Sequence, residues 1–206
     1  MTNLFVTINF NSRSTANQLS EVKKCIQDCG VEGITVFAYR FIETDNVEIG
    51  CLVEEGHAPF NATSIRALNG CPDSLLDCQH SIDSSATPGI GKWRNTGHTP
   101  YYPFVSDGSV PGNPRLAVLE IPQTTTFIGH ERRILDLFTK PELLHPAFEQ
   151  ICHRIPTIVV SVSSDKLNQP EDDILKPDLE CLSNNITHIM KTCESLQFNR
   201  MSELHK

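Results

Sequence analysis

Leu4-Phe5-Val6-Thr7-Ile8-Asn9-Phe10-Asn11-Ser12-Arg13-Ser14 is the stretch on which the fold turns. Leu4, Val6 and Ile8 alternate with Phe5, Thr7 and Asn9, the period of two expected of a buried strand. A polar, Ser-rich turn follows, where Ser14 or Thr15 is placed to cap a helix through about residue 28. Within that segment Leu19, Val22, Ile26 and Cys29 recur at helical spacing, and Gly30 closes it as a C-cap. Residues 33–38 then read as a second buried strand. Thr44 or Asp45 caps a second helix carrying Val47, Leu52 and Val53, which ends at Gly56. Strand, helix, strand and helix in that order predict an α/β domain with a parallel sheet and right-handed crossovers. In such folds chemistry collects at the carboxyl ends of the strands. The first strand carries two amides there, Asn9 and Asn11.

Further along, the pattern predicts a short helix over 72–78 and a brief strand over 81–84. Residues 85–114 read as loop, punctuated by Pro and Gly, and hold the sole Trp and two of the three tyrosines. So long a loop in a compact domain is usually functional or flexible. Regular structure resumes with a strand over 115–121, helices near 131–139 and 146–153, and a clear strand over 157–162. A last helix spans about 170–196, with Ile174, Leu175, Leu179, Leu182, Ile186, Ile189 and Met190 along one side. The expectation is one domain over 1–206, its central loop laid over the carboxyl-end face of the sheet.

At 206 residues, 39% hydrophobic and 20% charged, the composition is that of an ordinary globular domain. A formal net charge of -8 argues against nucleic acid as partner, because phosphate binding needs a basic face. No run approaches the ~20 apolar residues of a membrane helix. The amino-terminal residues lack a basic segment and a small-residue cleavage site, so a cytoplasmic protein with reduced thiols is expected. The eight cysteines include no Cys-x-x-Cys. Cys25 and Cys29 share a helical face, a spacing open to a metal pair but more often that of small core residues. Asn61-Ala62-Thr63 and Asn185-Ile186-Thr187 match a glycosylation pattern that means little without a secretory route.

Several motifs then fall in order. Ser81-Ile82-Asp83-Ser84-Ser85-Ala86-Thr87-Pro88-Gly89-Ile90 is followed by Trp93-Arg94, by Pro100-Tyr101-Tyr102-Pro103 and by Leu119-Glu120-Ile121-Pro122. Val53-Glu54-Glu55-Gly56-His57 lies upstream, and Phe198-Asn199-Arg200-Met201-Ser202-Glu203-Leu204 lies downstream. This set resembles the polysaccharide deacetylases, in register over nearly the whole chain. The resemblance implies a deformed (β/α) barrel, incomplete if a helix and a strand are missing between His57 and Phe60-Asn61. It also implies metal-dependent removal of acetyl groups from amino sugars. In that chemistry one Asp and two His hold a divalent ion, a second Asp is base, and a late His protonates the leaving group.

Residue by residue, those parts are absent. Asn9 and Asn11 stand where the acidic pair would end the first strand. An amide oxygen touches a hard cation but carries no charge and accepts no proton at neutral pH. The two His ligands would fall near Ala62 and Arg66, and the late His near Ser163. Acids clustered without their metal repel one another, so amides relieve a cost that is no longer offset.

Other candidates are weaker. His57, His80, His130, His145 and His153 are scattered, and His145 and His153 lie too far apart for one-face ligation. Ser84-Ser85 lacks a nucleophile-elbow setting. The substrate-binding candidates are Asp83, Trp93, His98, Tyr101 and Tyr102, whose rings would stack on pyranose faces or simply pin the loop. Asp83 more often orders a local turn than acts in catalysis. The expected function is a catalytically degenerate carbohydrate-binding or scaffold relative, with carbohydrate or a homo-oligomer as partner and no cofactor. The alternative is an active deacetylase with a remodelled site and a divalent metal such as zinc.

Overall fold

A computed structural model describes residues 2–11, 16–31, 34–42, 47–54, 82–84, 86–104, 107–112, 119–162, 176–193 and 196–198. The chain opens with strand β1, Thr2–Asn11, followed by helix α1, Ala16–Asp28, and strand β2, Ile34–Ile42. The end of α1 follows from Gly30, which takes φ 88°. Its N–H bonds the Gln27 carbonyl at 2.8 Å, and the Val31 N–H bonds the Ile26 carbonyl at 3.4 Å. These are the two bonds of a Schellman motif, with Ile26 and Val31 buried beside it.

Strand β3, Val47–Glu54, corrects the helix expected over 44–56. It pairs antiparallel with β2 from Thr35↔Glu54 to Ile42↔Val47, so the sheet is mixed rather than parallel throughout. The reason is legible in the residues: Val47, Ile49, Cys51 and Val53 alternate strictly, and Gly50 sits where a helix would be weakened.

Strand β10, Thr157–Val162, lies parallel to β1 on one side, from Asn3↔Thr157 to Ile8↔Val162. On the other side β2 takes residues 6–11 of β1, and strand β11, Leu196–Phe198, takes residues 2–4. Strand β4, Ile82–Asp83, pairs in parallel with β7, Leu119–Glu120. Within the expected loop, β5, Pro103–Phe104, and β6, Asp107–Pro111, form a small hairpin. A single parallel bridge, Asp136↔Ser161, extends the sheet beyond β10. Among the described residues no ladder joins the β4/β7 pair to the five-stranded sheet.

Three further expectations change. Residues 131–139 are not a helix. Strands β8, Thr125–Ile128, and β9, Glu131–Ile134, form a hairpin across the two-residue turn Gly129-His130. Helix α2 is Pro141–Glu149, starting five residues before the expected Pro146, which lies inside it. Pro141 fits the first turn, where no N–H is missed, and burial of Leu144, Ala147 and Phe148 fixes the helix face. Helix α3 is Lys176–Thr192, within the expected 170–196. The expected helix over 72–78 lies outside the described residues.

One face of the sheet carries Leu4, Val6, Ile8, Ile158, Val160 and Val162 against Val22 and Ile26 of α1, Phe148 of α2 and Leu182, Ile186 and Ile189 of α3. Each such side chain fully removed from water contributes about 1.5–3 kcal/mol. The opposite face is buried as well, but it is mixed: Phe5 and Val159 alternate there with Thr7 and Ser161. Among the described residues no helix is long and apolar enough to cross a membrane.

Candidate functional site

The mixed face of the sheet carries a chain of buried polar side chains. Thr7 and Ser161 are register partners on β1 and β10, and their hydroxyl oxygens lie 2.9 Å apart. The Ser161 hydroxyl donates to Gln123 Oε1 at 2.6 Å. That leaves the single Thr7 hydroxyl proton shared between Ser161 Oγ and the Val160 carbonyl, 3.2 Å away. Gln123 Nε2 in turn donates to the Ser84 carbonyl and hydroxyl, each at 3.0 Å. The Ser84 hydroxyl donates to the Ile121 carbonyl at 2.7 Å. All four side chains are buried. The protons therefore run in one direction from Thr7 to Ile121, tying β1 and β10 to the chain around β4 and β7.

Glu120 sits beside this chain and is fully buried. Its Oε1 accepts the Ala86 N–H at 3.0 Å. The Glu120 backbone lies between Asp83 on β4 and Tyr101, with which it exchanges both bonds of an antiparallel bridge, at 2.8 and 3.0 Å. Asp83 and Tyr101 are thus brought to one place by a residue that the sequence reading quoted only as part of a motif. A carboxylate inside a strand otherwise reading Leu-x-Ile-Pro was the available signal.

The remaining ring candidates separate by exposure. Trp93, at the end of the 3-10 turn Gly91–Trp93, is 1% exposed, and Tyr101 is 8% exposed. Neither ring offers a face to a sugar in this arrangement; both anchor the loop to the interior. Tyr102 and His98 are half-buried and keep some surface. His98 Nε2 lies 3.1 Å from the Thr125 carbonyl and 3.3 Å from the Thr125 backbone nitrogen, so the Thr125 backbone holds the ring as donor in one tautomer and as acceptor in the other. Burial lowers the His98 pKa, the bond to Thr125 works the other way, and the Arg132 guanidinium lowers it further. The Thr125 hydroxyl donates to the Pro88 carbonyl and so is not available to activate the ring.

Asn9 and Asn11 lie on the carboxyl half of β1, in register with Phe37 and Tyr39 of β2. The sequence reading thus placed them correctly along the strand. Ala62, Arg66 and Ser163 lie outside the described residues, as do His57 and His80.

In chemical terms the buried chain is a set of satisfied hydrogen bonds. The Ser84 and Ser161 hydroxyls donate to oxygen acceptors that cannot take up a proton, so neither is paired with a base as a nucleophile must be. The hydrolytic metal that the resemblance implies would need one Asp and two His, and the sequence has none of these at the positions the resemblance would assign to them. Two amides, a methyl and a guanidinium supply neither negative charge nor imidazole. Among the described residues, one group brings three metal-ligating atoms together, Cys152, His153 and Cys193, and it lies elsewhere. No family model, curated protein or solved structure matches the chain.

Proposed function

We propose that the chain is a polysaccharide-deacetylase-like protein whose hydrolytic centre is degenerate, and which binds carbohydrate or serves as a scaffold. The observation that carries the reading is the pair Asn9 and Asn11 on the carboxyl half of β1, where a hydrolase of that type needs acids. A divalent ion would gain no charge compensation there, and no base would accept the proton of an attacking water. Two-sided burial of β1 and β10 supports a barrel-type framework, as does the hydroxyl–amide chain that links them to the β4/β7 region. Carbohydrate contact would rest on the half-buried Tyr102 and His98.

Acetate release from an N-acetylglucosamine oligomer, measured with added zinc or cobalt, tests the proposal. No turnover is expected. Turnover that Asn9→Ala or Asn11→Ala abolishes would sink it. Binding on a glycan array would assign the carbohydrate role. Its absence, together with concentration-dependent oligomers, would assign the scaffold role.

A further inference from the structure

Cys152 and Cys193 are far apart in sequence but meet beneath the sheet. Cys152 follows α2 in the turn that leads into β10, and Cys193 follows α3 in the turn that leads into β11. Because β10 and β11 flank β1 on opposite sides near its amino end, the two turns converge on that end of the sheet. His153 adds a third donor. The two Sγ atoms and a ring nitrogen of His153 all lie within 4.8 Å of one another. Cys152 is 0% and Cys193 5% exposed, whereas His153 is exposed, so two ligands come from inside and the third side opens to solvent.

We propose that Cys152, His153 and Cys193 form a site for a thiophilic divalent cation, zinc above all, with water as fourth ligand. A tetrahedral zinc with bonds of about 2.3 Å to sulfur and 2.0 Å to nitrogen holds its donors about 3.5–3.8 Å apart. Closure from 4.8 Å or less therefore asks for about 1 Å of side-chain adjustment. The donor set suits zinc, cobalt or cadmium and is wrong for magnesium or calcium, which take oxygen. On binding, each thiol gives its proton to solvent as its sulfur–metal bond forms. The site lies at the amino end of β1, away from Asn9 and Asn11, where it links the ends of α2 and α3 rather than meeting a substrate.

The pair Cys25 and Cys29 is a less suitable competitor. It lines a groove of about 320 Å³ between α1 and α3. Both pairs have a thiol against a backbone carbonyl, Cys25 on Leu179 and Cys152 on Glu149, each at 3.6 Å, but among the described residues no third ligating atom joins Cys25 and Cys29 as His153 joins Cys152 and Cys193.

The test is titration of the reduced full chain with cobalt alone, read by thiolate-to-cobalt charge-transfer absorption. One equivalent is expected. The signal should vanish in Cys152→Ser/Cys193→Ser and survive in Cys25→Ser/Cys29→Ser. His153→Ala, a change at an exposed side chain, should weaken binding by at least about tenfold, the lower end of what is lost when even an orienting group is removed. Should the buried double variant fail to fold, alkylation of the wild-type chain decides, since zinc should protect Cys152 and Cys193 selectively. Absence of thiolate–cobalt absorption, its persistence in the double serine variant, or equal alkylation of both cysteines with and without zinc overturns the site.

Discussion

His145 and His188 stack face to face across the contact of α2 with α3, their ring centroids 3.7 Å apart and their planes within 3° of parallel. His188 Nε2 also lies 3.2 Å from Glu149 Oε1 and 3.2 Å from the Thr192 hydroxyl. Asn185 anchors the same region through bonds of 2.8 and 2.7 Å from its Nδ2 to the Leu137 and Thr139 carbonyls. The sequence reading set His145 against His153, but the tertiary partner is His188.

This stack predicts a loss of stability in mild acid. Burial lowers the His145 pKa and the facing His188 lowers it further, while Asn185, Glu149 and Glu142 act in the other direction. The unfolded chain then takes up a proton at its ordinary pKa, near 6.5, before the folded chain does. Stability is therefore unaffected by this group above that value and falls as the pH drops below it, until the folded group also titrates. Thermal unfolding from pH 7.5 to 5.5 should show a falling Tm, and His145→Gln should flatten the slope. An unchanged slope in the variant would remove His145 from the account.

The buried proton chain makes unequal demands on its members. Gln123→Leu leaves the Ser161 hydroxyl without its acceptor and the Ser84 carbonyl without its donor, at a cost of about 2–4 kcal/mol. Thr7→Val leaves the Ser161 bond to Gln123 intact and should cost about 1 kcal/mol. Urea unfolding midpoints compare them directly. Equal losses would contradict the direction of the chain.

Trp93 reports on the loop. As the sole Trp, and 1% exposed, it should emit at the blue end of its range and resist acrylamide quenching. Chito-oligosaccharide should leave the emission unchanged, even if sugar binds at Tyr102. A spectral shift on adding sugar would show that the ring turns outward to meet ligand. Trp93→Ala should cost about 3–5 kcal/mol.

Two glycines separate backbone strain from crowding. Both Gly30, φ 88°, and Gly89, φ 80°, hold the left-handed conformation that an L side chain adopts at a cost of about 1–2 kcal/mol. A Cβ at Gly30 would meet only the Met190 methyl, at 3.6 Å. At Gly89 it would fall 2.5 Å from Arg132 Cδ, so the Arg132 side chain must move. Gly89→Ala should therefore destabilise more than Gly30→Ala, and Arg132→Ala should narrow the gap. The comparison needs only denaturant midpoints of the three variants and their double.

What the residues decided alone was local. The alternation in β1 and β10, the i, i+4 pairs of α1 and α3 and the Gly30 cap are written within a few residues each, because helix and strand periods repeat over that distance. Where reading erred, the local signal was divided. Val47–Glu54 offered apolar residues to a helix and a strict alternation to a strand, and pairing with β2 settled it. Residues 131–139 were preceded by the two-residue turn Gly129-His130, too slight a mark without its partner strand. The rest depended on contacts between distant positions. No pattern in the chain announces that Trp93 turns inward, that Glu120 stands between Asp83 and Tyr101, or that Cys152 meets Cys193. Those are properties of packing, in which two side chains become neighbours only because the strands and helices that carry them bury their apolar faces together.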